Sequence, residues 1–514
     1  MSNGDVRSLG TTLPQGWAWT TLEDVTSPNR VPVQPSAQQQ LPFIGMEYVE
    51  AETMRLLGTG QSSGLRSIAL HFWPGDVLYG RLRPYLNKVL HADFEGLCSA
   101  EFIVFRDVPY LDSRYLQYFL NAWRFRDFAA RLNEGDRPRV DWDQIKPYPF
   151  PLAPIGEQRR IVAAIEQQFT RLDAGVAALK RSQARLKHYR ATVLKAAVEG
   201  DLTVDWRAAH PATETGAELL QRILAERRVR WEADVRAKGK DPAKVRYEEP
   251  VGPDTEGLPE LPEPWCWASL LQLAAPEANS IVDGPFGSNL KTEHYVASGD
   301  RVIRLQNIGD GVFKDEKAFI THTHFVRLVK HQVFAGDVVI AALGEHPPRS
   351  CLIPAFVGPA IVKADCIRFK PSPHVPPSYM NIALNAEPTR RRTAVLLHGV
   401  GRPRLNLSEV KSIVLQLPAT DEQQHIVAEV ERRLSVVTAL EATVEANLKR
   451  AERLRQSILR EAFAGRLVSQ DPIDEPASIL LQRIRKEWTE GPLSRGRRSG
   501  VQQLEMVDAI AASS

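Results

Sequence analysis

Gly156-Glu157-Gln158-Arg159-Arg160-Ile161-Val162 returns 265 positions later as Asp421-Glu422-Gln423-Gln424-His425-Ile426-Val427. The correspondence runs without a gap to Gly200 and Leu202, which match Gly465 and Leu467. A second copy at that distance is a duplicated domain, because solenoid repeats recur at periods of about 20–50 residues.

Most of the chain takes part in the duplication. Leu13-Pro14 and Trp17-x-Trp19 recur as Leu261-Pro262 and Trp265-x-Trp267. Gly75-Asp76-Val77 then matches Gly336-Asp337-Val338, Leu120-Asn121-Ala122 matches Leu384-Asn385-Ala386, and Ile145-Lys146 matches Val410-Lys411. Beyond the helical stretches, Leu219 to Ile223 echoes Leu480 to Ile484. Each half is therefore a variable body followed by a better-preserved helical segment, and two equivalent units imply two equivalent tasks.

Within the repeated segment, apolar residues fall at Ile161, Ile165, Phe169, Leu172, Val176 and Leu179, and later at Leu186, Tyr189 and Val193. Spacings of three and four held this long predict one amphipathic helix with a coiled-coil seam, ended by Gly200. In the second copy Ile426, Val430, Leu434, Val437, Val444, Leu448, Leu454 and Ile458 carry the stripe to Gly465. Some 45 residues at 1.5 Å each make a helix roughly 65 Å long. Such a stripe is most economically buried by packing the two copies together, antiparallel if a pseudo-twofold axis relates the halves. The competing arrangement sets each helix on its own body.

The bodies read as mixed. Val77-Leu78-Tyr79, Phe102 to Phe105, Val338-Val339-Ile340 and Ile413-Val414-Leu415 suit short strands, whereas Arg114 to Leu132 and Ser378 to Leu397 suit helices. The expected architecture is α+β: two globular domains of mixed α/β structure separated by two long antiparallel coiled-coil helices, internally duplicated about a pseudo-twofold. Its boundaries fall at 13–152 (first body), 153–202 (first long helix), 203–260 (helical extension and linker), 261–418 (second body), 419–467 (second long helix) and 468–514 (extension and tail). The extension includes a basic helical run, Ala217 to Lys238, and the tail is basic around Arg495 to Arg498.

Composition narrows the class. At 514 residues, 43% hydrophobic and 25% charged, the chain has material for several ordinary cores. No apolar run reaches the roughly 20 residues that span a bilayer, and no signal-peptide pattern opens the sequence, so a cytoplasmic location is expected. Cys98, Cys266, Cys351 and Cys366 form no C-x-x-C pair and are expected to be buried thiols. A net charge of +3 is too small to argue for nucleic acid, so the placement of charge must decide.

The common catalytic signatures are missing: no phosphate loop, no H-E-x-x-H, no G-x-S-x-G, and no Asn-Pro-Pro-aromatic motif of amino-methyltransferases. Asp315-Glu316-Lys317 offers part of a nuclease motif without the upstream acid, and His322 with His324 lacks a third metal ligand. The bodies instead carry loops that mix Gly or Pro with cations, aromatics and amides. Arg81, Arg83, Tyr85, Asn87 and Lys88 crowd one loop, the mixture that phosphate contact and base-edge readout require. Arg137-Pro138-Arg139 is matched by Arg402-Pro403-Arg404 at the same relative point of the second copy. Asp283-Gly284-Pro285-Phe286-Gly287-Ser288-Asn289-Leu290-Lys291 reads as an exposed turn offering Phe286, Ser288, Asn289 and Lys291. Arg304, Gln306 and Asn307 complete the set, with Arg304 and Gln306 on one face of a strand. Solvated turns and structural ion pairs would use the same residue types.

The L-P-x-x-W-x-W openings at Leu13 and Leu261, the E-Q-x-x-I-V helix starts at Glu157 and Glu422, the Gly-Pro-Phe-Gly-Ser turn and the two-body, two-helix order together resemble the specificity subunit of type I restriction-modification systems, over roughly residues 13 to 490. The resemblance implies a non-catalytic DNA-binding subunit. Its bodies would be target-recognition domains, each reading half of a bipartite site in double-stranded DNA, and its helices would set the gap and dock two methyltransferase subunits. Two restriction subunits would then join. S-adenosylmethionine, ATP and Mg2+ are implied on those partners and no cofactor on this chain. A scaffold that does not bind DNA, or a self-contained modification or cleavage enzyme, is the alternative that the residues themselves leave open.

Overall fold

The computed structural model describes residues 12–490 apart from 36–39, 64, 134, 345, 346 and 400, and the basic tail around Arg495 lies outside the described residues. The chain divides into two compact units, one running to Lys180 and resuming at Glu445, the other spanning Arg181–Val444. Both divisions fall inside the long helices, which run Ile155–Glu199 and Thr420–Phe463. Each unit is therefore one body, the first part of its own helix and the last part of the other.

In the first unit, strand β1 (Ala18–Thr21) carries the second tryptophan of the opening motif. The sheet β2 (Val77–Gly80), β3 (Val89–His91) and β4 (Phe102–Phe105) has β2 at its centre, antiparallel to both neighbours. A separate five-stranded sheet lies between residues 32 and 99. Helices α1 (Ser113–Asn121) and α2 (Trp123–Arg131) replace the single helix expected over Arg114–Leu132, because Ala122 is extended at ψ 142°. Strand β5 (Pro149–Leu152) pairs with β1, Trp19 opposite Pro151, and delivers the chain directly into the long helix. Tyr115, at 0% exposure, donates its hydroxyl to the Pro151 carbonyl at 2.8 Å.

The second unit repeats this plan. Strand β6 (Cys266–Ser269) pairs with β10 (Val414–Leu417), and β7 (Val338–Ala341) lies between β8 (Arg349–Leu352) and β9 (Cys366–Phe369), with Ile281–Asp283 added outside β9. Val338 faces Leu352 and Phe369, as Val77 faces His91 and Phe105. Helices α3 (Pro377–Asn385) and α4 (Glu387–Thr393) again meet at an extended alanine, Ala386. Tyr379 donates to the Gln416 carbonyl at 2.9 Å, the counterpart of Tyr115. The expected basic helix is Gly216–Ala237. Cys98, Cys351 and Cys366 are buried as expected, and Cys266 is partly so.

Long helix and body share one core in each unit. Ile161, Ile165 and Phe169 near the start of the first long helix cluster with Ile458, Leu459 and Ala462 near the end of the second, within the core formed by Tyr115, Phe119 and Phe150. In the other unit, Val193, Ala197 and Val198 from the end of the first helix join Ile426 and Val430 from the start of the second. In either unit the start of one helix meets the end of the other, so the segments are antiparallel. Helix packs on helix and on body at once, so both arrangements expected from sequence are present. Arg455 lies 4.2 Å over the Phe169 ring and pairs with Asp173, and Arg190 pairs with Glu441 at 2.9 Å.

The repeated motifs close these cores. Glu422, 2% exposed, accepts from Trp265 Nε1 at 2.7 Å, Thr203 Oγ1 at 2.6 Å and Arg207 Nε at 2.9 Å. One carboxylate thus ties the opening motif to the segment following the first long helix. Glu157 is equally buried and accepts from Gln470 Nε2 at 3.2 Å, and burial pushes its carboxyl above the ordinary range. The adjacent Gln158 and Gln423 donate to the carbonyls of Ala153 and Pro418 at 2.9 and 2.8 Å, fixing the strand-to-helix turn. Gly200 (φ +83°) and Gly465 (φ +66°) end the helices left-handed, and a Cβ there would approach Pro262 Cγ to 2.6 Å and Pro14 Cγ to 2.1 Å.

Glycine is required at these two ends by both conformation and space. Gly465→Ala and Gly200→Ala should each destabilise the unit concerned by more than about 1 kcal/mol, whereas Gly175→Ala, mid-helix with open space around it, should stabilise by roughly 0.5–1 kcal/mol. Calorimetry of the intact chain tests this, and equal shifts for all three would refute the closure.

Candidate nucleic-acid interface

Both bodies build the same loop junction from equivalent residues. In the first, β2 ends at Gly80, and the Arg137-Pro138-Arg139 segment folds back onto residues 81–83: Leu82 bridges Arg139, Arg83 donates its N–H to the Pro138 carbonyl at 2.7 Å, and Val140 donates to the Arg81 carbonyl at 3.0 Å. In the second, Leu343 bridges Arg404, Gly344 donates to Pro403 at 3.2 Å, and Leu405 donates to Ala342 at 2.8 Å. The two arginine loops matched by sequence thus occupy one structural position, at the end of the central strand.

Within each loop the two arginines are not equivalent. Arg139 makes a two-pronged contact with Glu101, Nη2 to Oε1 at 2.7 Å and Nε to Oε2 at 3.0 Å, and that guanidinium holds the Glu101 carboxyl below its usual range. Arg404 Nε lies 3.0 Å from Asp365 Oδ1. Glu101 and Asp365 immediately precede the equivalent strands β4 and β9, and their carbonyls accept from the equivalent N–H groups of Arg81 and Ala342, each at 2.9 Å. Each carboxylate is a latch on the second arginine. Arg137 and Arg402 are exposed and carry no ion pair among the described residues. A guanidinium left open keeps its donors for a phosphate or a guanine edge, while a latched one is partly spent.

The remaining candidates divide in the same way. In the first body Arg83 and Tyr85 are exposed, Tyr85 at 48% on a single 3-10 turn, Pro84–Leu86. Arg81 pairs with Asp141. Lys88 donates to the Met46 carbonyl at 2.6 Å, and Asn87 is 1% exposed in a left-handed conformation (φ 43°). Both were expected at the surface; the turn draws them inward.

In the second body, the Phe286 turn stands beside the arginine loop, because Arg404 lies 5.4 Å over the half-exposed Phe286 ring. Such a cation–π contact fixes the direction of the guanidinium. Gly284 makes the approach possible, since a Cβ there would sit 2.1 Å from the Lys363 carbonyl carbon. Ser288, Asn289 and Lys291 are exposed, and His324 donates to the Asn289 carbonyl at 2.8 Å. The strand expected through Arg304 and Gln306 is instead a 3-10 turn, Leu305–Asn307. Its cause is Asn307, fully buried, whose Oδ1 accepts from the Arg304 N–H at 2.8 Å while Nδ2 donates to the carbonyls of Lys314 and Glu316, each at 2.8 Å. With its amide so occupied Asn307 builds the turn, and Gln306 is exposed on it. Arg304 reaches toward the Lys317 carbonyl at 3.5 Å.

Asp315 is bound by Arg301 at 2.7 Å, and His322 faces Asp300 at 2.9 Å. Among the described residues no cluster of His, Cys, Asp or Glu could hold a metal ion, and no helix is long and apolar enough to cross a membrane. Glu101 and Asp365 were not singled out from sequence; the available signal was an acidic residue before the matching strand in both copies.

No family model matches the chain. Among curated proteins it is similar to the EcoDI type I restriction enzyme specificity subunit of Escherichia coli, 29% identical over 226 residues that cover 42% of this chain and 50% of that protein. It is also similar to the EcoKI specificity subunit of Escherichia coli K12, 23% identical over 77% of this chain and 76% of that one, and to the StySPI specificity subunit of Salmonella potsdam, 21% identical over 92% and 96%. The chain spans about half the length of the EcoDI subunit it matches. A chain from a solved type I R-M system superposes with a TM-score of 0.61 at 18% identity, over 88% of this chain and 99% of that one, which establishes a shared fold. The resemblance to type I specificity subunits drawn from the sequence is borne out.

If the latches position the loops, Glu101→Gln should speed amide exchange across residues 81–88 and 135–140 at neutral pH and leave the second body unchanged, with Asp365→Asn doing the reverse. Exchange rates equal to those of the parent would refute the latch. The Glu101 carboxyl is depressed, so its contribution is complete above the ordinary glutamate range and is lost as pH falls below it.

Proposed function

We propose that this chain is the non-catalytic DNA-recognition subunit of a type I restriction-modification complex, each body reading one half of a bipartite site in double-stranded DNA. The observation that carries this reading is the junction built twice: an exposed Arg137 or Arg402 beside a latched Arg139 or Arg404 at the same strand end. Two equivalent readers suit a split target. In the first body Arg83, Tyr85 and Arg137 offer the contacts; in the second, Ser288, Asn289, Lys291, Gln306 and Arg402 do so, with Arg404 held by Asp365 and Phe286. The lysines and arginines set register on phosphates and make affinity salt-dependent, and the few amides and free guanidiniums discriminate bases.

The long helices set the distance between half-sites and dock two methyltransferase subunits, which two restriction subunits join. S-adenosylmethionine is held by the methyltransferase subunits, and ATP and Mg2+ by the restriction subunits. The division into bodies 13–152 and 261–418, helices 153–202 and 419–467, and extensions 203–260 and 468–514 follows these tasks.

Co-expression with its methyltransferase subunit in a methylation-free host, followed by single-molecule mapping of modified adenines, should yield one motif with two specified halves and a fixed gap. Arg137→Ala should weaken or relax only one half and Arg402→Ala only the other, each by about 1–3 kcal/mol of discrimination. Equal loss at both halves, or none at either, would overturn the assignment.

Four residues inserted into each long helix add one turn, about 6 Å, and should lengthen the unspecified gap by roughly two base pairs with both halves unchanged. A functional insertion variant with the original gap would remove the helices from that role.

A further inference from the structure

Between α2 and the C-terminal stretch of the second long helix, the first unit contains a cleft of about 1340 Å3 that the reading of DNA does not use. Its floor is aromatic, with Phe119, Tyr148 and Phe463. Its rim exposes Trp123 at 54% and Leu454 at 49%. Arg124, Arg450 and Arg453 line it, are exposed, and carry no ion pair among the described residues, whereas Arg126 and Arg455 in the same cleft are neutralised by Glu52 and Asp173. Positions 450, 453 and 454 share one helix face, so two cations and an apolar side chain point the same way.

We infer that this cleft docks one acidic, amphipathic helix of a partner protein in the assembled complex. A helix about 10 Å across fills 1340 Å3 with roughly three turns. Its apolar face would cover Trp123, Leu454 and the aromatic floor, and its carboxylates would meet Arg124, Arg450 and Arg453. Tryptophan and arginine around a concave floor are the residue types that dominate protein–protein affinity. Duplex DNA fits less well, because its convex phosphate surface gains nothing from an exposed Trp123 and Leu454.

The site is specific to the first half. The second copy places Glu387 and Pro388 at the positions of Trp123 and Arg124 and His188 and Tyr189 at those of Arg453 and Leu454, and keeps Arg185 at that of Arg450. The tryptophan and two of the three open arginines are missing there, and Glu387 is already held by Arg391 at 2.6 Å. The occupant therefore binds once per chain, and it breaks the pseudo-symmetry of the two readers.

The inference rests on the chain acting as an assembly subunit, and adenine methylation reports that reading separately. Trp123→p-benzoylphenylalanine in the complex reconstituted with methyltransferase and restriction subunits should photocrosslink to one Asp- or Glu-rich helical segment of a partner. Arg450→Glu with Arg453→Glu, both on the exposed face, should cut that crosslink at least tenfold, and Arg450→Lys with Arg453→Lys should keep it. A crosslink to DNA, a crosslink insensitive to the charge reversal, or none in a complex that methylates normally would overturn the proposal.

Discussion

A buried glutamate at the head of each long helix is the contact on which the rest of the architecture depends. Glu422 receives donors from the opening tryptophan of its body, from Thr203 and from Arg207, and only the last two lie in the segment beyond the end of the other helix. Burying a carboxylate is costly unless its oxygens are satisfied, so the contact forms only when all the contributing segments are in place. That makes closure of the unit conditional on correct helix pairing. In the first unit Gln470 plays the corresponding part toward Glu157 with a neutral amide. Arg160 there turns instead to Asp474, at 2.7 Å. The two copies therefore conserve the buried acid and vary its partners.

Because closure is handled at the helix ends, the strand ends are free to differ. The junction beyond β2 and β7 keeps its backbone bridge, one carboxylate–arginine latch and one exposed arginine, and the turns beside it have diverged. The first body extends the junction with Arg83 and Tyr85 on a proline-led turn; the second brings the Phe286 turn against Arg404. A frame fixed by buried contacts with a variable rim is what the proposed reading of one half-site by each body requires.

The long helices were legible to within a residue or two because their signal is redundant: a stripe repeated over many turns, an E-Q start and a glycine whose left-handed end the structure confirms. The paired arginine loops were legible because the duplication marked them twice. What escaped was local. The break at Ala386 had a sign in Pro388, whose missing N–H suits the first turn of a helix, but Ala122 breaks the first copy with no proline at all. Asn87 and Asn307 look like surface amides in sequence. Their burial comes from turns in which a side chain or a left-handed backbone completes the fold, and hydrophobic periodicity carries no trace of that.

The copies also differ inside. Asn385 receives the Ser350 N–H, donates to the Ser350 hydroxyl at 2.8 Å and meets Arg390 at 2.9 Å. By strand register Val89 stands where Ser350 does, and Arg126, the counterpart of Arg390, goes to Glu52 instead. Asn121 is as buried as Asn385 but has neither partner. With Arg126 paired to Glu52 and Val89 in the place of Ser350, the polar network that Asn385 anchors in the second body is absent beneath α1 and β3. Divergence at the rim is thus matched by divergence in the interior, at Arg126 and at Val89, and the two bodies, alike in plan, are no longer interchangeable.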